Sequence, residues 1–354
     1  MHPRLKHYPH HADYVAHANE FRPFVTSMGE PFFKSSSLNT DAFGFRAEKL
    51  ADGQKINLQS IRNDVDKCDL LLGNSTAFGG GASSDEHTIS SCLTRSGRLV
   101  LNWGIRGAVA QQELIAYLSL KYLLPPTRNI LLLTGINDLT IASIERPFVF
   151  PEFGTVISEP HFYRLFNASY SRASPVGSRH AKFMRIADNL YIRSPLVRRA
   201  AMLLKEMNIN PKAADSQPES LDDRMALELT HVSNSIETWG WIQQASSTRV
   251  HYILQPAIGW CDKALTATEK ECFDEDLKTI PSLQVFGRRD LYERFRDKVR
   301  LACDKAGIFF YDANQWLNEK EFEGKDVFVD ICHLNDLGQQ LLAEKFLSNV
   351  HWNE

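Results

Sequence analysis

Several features that would place a chain at once are scarce here. The six cysteines (Cys68, Cys92, Cys261, Cys272, Cys303 and Cys332) are scattered. Without a C-x-x-C pair or metal-ligand spacing, they suggest neither a disulfide framework nor a metal site, and reduced thiols are expected. No apolar run approaches the roughly 18–20 residues of a membrane-spanning helix. Charge of one sign is missing too: 40 Lys and Arg against 43 Asp and Glu leave a net −3. No global field therefore calls for a nucleic-acid or membrane partner. The opening MHPRLKHYPHHADYVAH is polar and lacks the apolar core of a signal peptide, which leads to the expectation of a cytoplasmic protein. There is no internal repeat and no low-complexity tract.

What is present is ordinary material for a folded core. With 354 residues, 43% hydrophobic and 23% charged, the chain can form one large domain or two of common size. Residues 1–65 are the least readable. Their histidines (His2, His7, His10, His11 and His17) form no regular ligand frame and read as solvated surface. The stretch Asn39–Arg46 reads as an ordered turn whose aromatic residues anchor it to the main domain.

From residue 66 onward a rhythm sets in. Leu70–Leu72, Arg98–Asn102 (RLVLN) and Asn129–Thr134 (NILLLT) are short apolar runs bounded by turn residues, the pattern of buried strands. Between them come a helical stretch to Leu93 and another over Ala108–Leu124, ended by Pro125-Pro126. Strands that are apolar on both faces and alternate with helices predict a parallel sheet covered on both sides. At about 141–246 prolines punctuate the chain, helices are expected around 195–208 and 221–245, and the whole reads as a helical insertion. The sheet then resumes with Arg249–Gln255 (RVHYILQ), a helix over 288–306 and Ile308–Tyr311 (IFFY). A last helix from Asn335 is expected to bury Leu337, Leu341, Leu342 and Phe346.

Three strand ends carry polar or glycine residues: Gly73-Asn74-Ser75, Asn102 to Gly107, and Gly135-Ile136-Asn137-Asp138. A fourth stretch, Asp330-Ile331-Cys332-His333-Leu334-Asn335, precedes the final helix. Ligands of open α/β sheets gather outside the carboxyl ends of the strands, so these are the places to look for a site. Taken singly, each residue has a structural reading: Ser75 and Asn137 as turn formers, Asp330 as a helix cap, His333 as a helix-start histidine.

In this order and spacing the four stretches resemble the SGNH (GDSL-type) serine hydrolase superfamily, over roughly residues 66–350. The resemblance implies a three-layer α/β/α flavodoxin-like fold with a parallel sheet, here interrupted by the insertion and preceded by an N-terminal extension, 1–65. It implies Ser75 as nucleophile, His333 as its base and Asp330 as the partner that orients the ring. It implies an oxyanion hole from the backbone N–H groups of Ser75 and Gly107 and the side chain of Asn137. Gly107 lies five residues beyond Asn102, the family's spacing, and Gly104 is left to the turn. Asn74 stands where the family has Asp. No metal or organic cofactor is required, and no G-x-S-x-G surrounds Ser75 as in an α/β-hydrolase elbow. Cys332 beside the base reads as a packing residue.

The Gly79–Gly81 and Ser83–Glu86 surroundings resemble members associated with bacterial surface polysaccharide. The expected activity is removal of an acyl group from a carbohydrate or similar small ester. Alternatives are acyl transfer to a sugar hydroxyl and a catalytically silent glycan-binding protein. Basic residues from Arg164 to Lys205, opposed only by Asp188, suggest an anionic substrate, with Arg193, Arg198 and Arg199 as candidate contacts. Trp239, Trp241 and Trp260 are either sugar-stacking surfaces or core. The sequence does not decide the oligomeric state.

Overall fold

The structure is a computed structural model that describes residues 2–49, 55, 56, 58, 66–144, 220–318 and 322–353. Its centre is a five-stranded sheet of β5 (Cys68–Gly73), β6 (Val100–Gly104), β7 (Thr127–Thr134), β8 (Arg249–Leu254) and β9 (Phe309–Asp312). The strands are all parallel and lie in the order β6-β5-β7-β8-β9. This is the flavodoxin-like order, and its switch point lies at β5, where the chain leaves one flank of the sheet for the other. Every residue of β5 and of β6 is buried, which is why those runs are mostly apolar rather than alternating, with only Asp69 and Asn102 polar among them.

Two groups of helices cover the sheet. One contains α4 (Ile89–Arg95), which packs on α11 (Asp336–Asn349). In the other, α5 (Ala110–Leu120), α6 (Ile136–Ala142) and α9 (Arg289–Ala306) gather around α7 (Leu221–Gln244). α9 buries Leu291, Tyr292, Phe295, Val299 and Cys303, one stripe at helical spacing. α7 starts with a reciprocal cap between Ser220 and Asp223 and buries Met225, Val232, Ile236 and Trp239. α8 (Ala267–Thr279), with its Thr266–Glu269 cap, fully buries Glu269, Cys272 and Asp276 and packs Phe273 and Leu277 half-buried on the core. Two four-residue helices, α3 (Ser75–Phe78) and α10 (Ala313–Trp316), follow β5 and β9.

The N-terminal part adds α1 (Pro3–His7), α2 (His11–Ala16), an antiparallel hairpin of β1 (Asn19–Arg22) and β2 (Thr26–Gly29), and a second short pair, β3 (Glu48–Lys49) with β4 (Lys55–Ile56). α1 packs on α8. Phe45 is buried and stacks on Trp103 of β6, with ring centroids 4.6 Å apart. Arg46, buried with it, pairs with Asp85 at 3.0 Å and donates to the Gly79 carbonyl at 2.6 Å.

Two expectations need correction. His11 and His17 are 1% and 2% exposed, not solvated, because the N-terminal segment turns them against the main domain: His11 beside His333, His17 on Phe78 and Arg106. Leu337 is 37% exposed, whereas Leu341, Leu342 and Phe346 are buried, since the helix turns only one face inward. Trp239 and Trp260 are core, and Trp241 is exposed. The expected helix at 195–208, with Arg193, Arg198 and Arg199, lies outside the described residues. Among the described residues no helix is long and apolar enough to cross a membrane, and the six cysteines are free.

Candidate active site

Ser75 is the first residue of α3, directly after β5, and is 7% exposed. Asn74 caps that helix by accepting from the Thr76 N–H at 3.1 Å. Its amide nitrogen donates to Gln255 Oε1, just past β8. A carboxylate at position 74 has no N–H for that bond, which gives the asparagine a local reason. Gln255 in turn donates to the Thr76 hydroxyl at 2.9 Å, and that hydroxyl donates to the Cys332 carbonyl at 3.2 Å. The serine turn and the histidine loop are thus tied together through the residues that flank them.

The loop holding His333 is anchored at the same end of the sheet, where the Ile258 N–H donates to the Ile331 carbonyl at 2.9 Å. Asp330 and His333 are in direct contact, with Nδ1 and Oδ2 2.7 Å apart. The other carboxylate oxygen accepts the N–H groups of Cys332 and His333 at 3.0 and 2.8 Å. Asp330 is therefore a partner of the imidazole and of its own loop, while Asn335 caps the final helix. Burial alone would raise the Asp330 carboxyl. Arg4 and His333 outweigh it and hold the group well below the usual carboxylate range.

Gly80 lies against the imidazole: a Cβ there would come within 2.7 Å of His333 Cδ2 and 3.0 Å of Nε2. The Gly80 N–H donates to the Ser75 carbonyl at 2.9 Å, so the glycine turn spans the space between serine and histidine. The Ser75 hydroxyl itself makes no hydrogen bond among the described residues, and His333 Nε2 faces the Tyr14 hydroxyl at 3.5 Å.

The candidate oxyanion residues sit at the neighbouring strand ends. Gly107, at φ +77°, lies in the turn between β6 and α5. Asn137 donates to the carbonyl of Ala108, next to Gly107, at 2.7 Å, which fixes the amide and leaves its second N–H available. Asp138 accepts from the Ala110 N–H at 3.0 Å and adds a second tie between those turns. Gly104 has a packing reason as well: a Cβ there would meet the Phe78 backbone N at 2.1 Å. Asn102 donates to the Ala77 carbonyl at 2.9 Å and so supports α3 from below.

Asp330, Cys332 and His333 each present a ligand atom within 4.8 Å of the others. Burial, and next to it the Asp330 charge, pushes the Cys332 thiol well up, and the Arg4 guanidinium already stands 3.1 Å from Asp330 Oδ2. The Asp330 carboxylate such an ion would need is already engaged by Arg4 and the His333 ring.

Sequence reasoning missed Gln255 and the N-terminal residues around His333. Tyr14 lies edge-on to the His333 ring at 5.3 Å, and His11 lies 6.2 Å away. Burial lowers His11 to about 3. Arg106, the residue before Gly107, stacks over Tyr14 at 4.0 Å and contacts His17 Nδ1 at 2.9 Å. Gln255 was legible only as a polar residue at a strand end.

No protein-family model matches the chain, nor does any curated protein sequence. Solved structures similar to it include an acetyl xylan esterase, AlAXEase, at 12% identity, covering 80% of this chain and 99% of that one, with a TM-score of 0.39. A member of the lipolytic protein G-D-S-L family from Veillonella parvula matches at 14% identity over 80% and 97%, with a TM-score of 0.40. An extracellular lipase from Streptomyces rimosus matches at 10% identity over 81% and 100%, with a TM-score of 0.42. At such identities and scores the likenesses assign no activity to this chain.

Proposed function

We propose that the protein is a serine ester hydrolase of SGNH type. Ser75 attacks the ester carbonyl as His333 takes the hydroxyl proton. The developing oxyanion is held by the N–H groups of Ser75 and Gly107 and by Asn137. Collapse breaks the ester bond and forms the acyl-enzyme; His333 returns the proton to the leaving alkoxide. Water, deprotonated by the same imidazole, then releases the acid and restores Ser75. Asp330 fixes the ring so that Nδ1 keeps its proton and Nε2 is the basic nitrogen, and it stabilises the imidazolium. The substrate class we put forward is an acylated carbohydrate, in keeping with the sequence resemblance around Gly79–Glu86.

The observation that carries this reading is the Asp330–His333 contact of 2.7 Å at the carboxyl end of the sheet, with the ring against Gly80. Catalytic hydrogen bonds are often long or poorly aligned without substrate, so the absence of a formed Ser75–His333 bond is compatible with this reading. The test is hydrolysis of an aryl acetate and of an acetylated oligosaccharide by the unsubstituted protein and by Ser75→Ala. Acetate release lost in the variant is the expected result. Equal release by both proteins would sink the proposal.

A further inference from the structure

Among the charges at the site that the proposed reaction does not use is the Arg4 guanidinium. Arg4 lies in α1, far from the serine in sequence, and His2 caps that helix by accepting the Arg4 N–H at 3.2 Å. The guanidinium donates twice to Asp276 of α8, at 2.7 and 2.9 Å. Its Nε stands 3.1 Å from Asp330 Oδ2, an ion pair. That oxygen is the one in contact with His333 Nδ1. Both carboxylate side chains are 1% exposed and the arginine 20%. Asp276 also accepts the Ile331 N–H at 3.2 Å, so α8 holds the histidine loop as well.

We propose that Arg4 is a positioning residue of the active site: shared between Asp276 and Asp330, it holds the carboxylate that orients His333 and limits the negative charge felt by the imidazole. Two ionised carboxylates enclosed side by side repel each other, and a cation between them offsets that repulsion. Arg4 supplies that cation through two nitrogens, Nη2 donating to Asp276 and Nε lying beside Asp330 as an ion pair, and a point-like ammonium has no second nitrogen to offer. The N-terminal segment thereby becomes part of the machinery rather than an appendage. This inference rests on His333 being the base of the proposed hydrolase.

The titratable groups facing the pair are Arg4, His11 and Tyr14 from the N-terminal segment, Asp276 and Cys272 from α8, and Cys332 of the loop itself, with His2 3.5 Å from Asp276. His11, lowered to about 3 by burial, stays neutral above pH 5. Burial raises Cys272 to about 11, and burial raises Cys332 too, so the thiols stay protonated near neutral pH. The working charges are then those of Arg4, Asp276 and Asp330.

Charge removal from either side of Arg4 gives opposite signs, which a merely structural role would not. The His333 imidazole is followed by nuclear magnetic resonance with ring-labelled histidine, its signal assigned by loss in His333→Gln. In parallel, the acid limb of kcat/KM is measured on an aryl acetate. In Arg4→Met the His333 midpoint and the limb move up by about one pH unit, because a cation near the imidazolium is gone. In Asp276→Asn both move down, because an anion is gone and Arg4 bears on Asp330 alone. Arg4→Lys keeps the midpoint near the parent value while lowering kcat about tenfold, since charge returns without the second nitrogen.

Midpoints unmoved in both Arg4→Met and Asp276→Asn, or moved in the same direction, overturn the inference. Should Arg4→Met fail to fold, Asp276→Asn decides alone: a downward shift supports the inference and no shift overturns it. Full ester activity in Ser75→Ala would sink the hydrolase reading instead, a result independent of the resonance titration.

Discussion

A single methyl group at Gly80 should disable the proposed hydrolase without unfolding the protein. The Cβ of an alanine there would lie 2.7 Å from His333 Cδ2, 3.0 Å from Nε2 and 3.1 Å from Tyr14 Cε2. Carbon atoms rest at about 3.5–4.0 Å, so the ring must retreat by roughly 1 Å. It cannot do so freely, because Nδ1 is held 2.7 Å from Asp330. A displacement of about 1 Å between reacting groups costs on the order of 10²-fold in rate, or about 2.7 kcal/mol of barrier. Stability changes less. Overpacking costs about 1–3 kcal/mol, and the loss of glycine's freedom in the unfolded chain returns about 0.4–1 kcal/mol. Gly80 has no positive φ that alanine would strain. The assay is kcat on an aryl acetate together with the thermal midpoint, with Gly287→Ala as control, since nothing lies within 4 Å of a Cβ there. A folded Gly80→Ala protein with kcat within twofold of the parent would refute the placement of His333 against this turn.

Two further outcomes follow from the same geometry. Asn137→Ala should lower kcat about 10²–10³-fold with KM changed far less, because the donor acts on the oxyanion and not on the bound ester; an unchanged kcat in a folded variant leaves Asn137 only its bond to Ala108. Acid should loosen the N-terminal segment. Burial lowers His11 to about 3 and His17 to about 4, against an unfolded value of about 6.5, so their contribution is complete above pH 6.5 and is lost as pH falls toward those values. At pH 4.5 each histidine should cost up to about 2.7 kcal/mol. Amide exchange across residues 2–17 is expected to be faster at pH 4.5 than at pH 7.5 after correction for intrinsic rates, and equal protection would contradict the assignment.

The sheet was readable because its central strands are covered on both faces: Cys68–Gly73, buried at every position, carries the continuous apolar run Leu70–Leu72. The stripe of α9 was readable for the matching reason, its inward residues falling at helical spacing. α8 left a weaker trace, since its fully buried residues are Glu269, Cys272 and Asp276, two of them acids that accept from the 327–331 backbone, with Phe273 and Leu277 only half-buried. Hydrophobic periodicity reports poorly on a helix held in place by carboxylates. The same blindness applies to the N-terminus. Arg4, His11 and His17 look like solvent-exposed residues by type, and only the location of their partners, Asp276, Asp330 and Arg106, makes them interior. Local motifs marked Ser75, Asn137, Asp330 and His333 because each lies beside a strand end or a helix start. Gln255 stands at such an end too, but its role depends on Asn74 and Thr76, more than 170 positions earlier.

The account turns on Ser75 as a nucleophile driven by His333, and covalent capture of that oxygen tests it most directly. The full chain is treated with a fluorophosphonate, and the modified residue is located by peptide mass spectrometry. The expected result is one adduct, on Ser75, forming with the same pH dependence as ester hydrolysis. It should be absent in Ser75→Ala, and slower by at least about 10³-fold in His333→Ala, as loss of a base within a triad demands. Labelling elsewhere with Ser75 untouched, or ester hydrolysis that persists in Ser75→Ala, would contradict it.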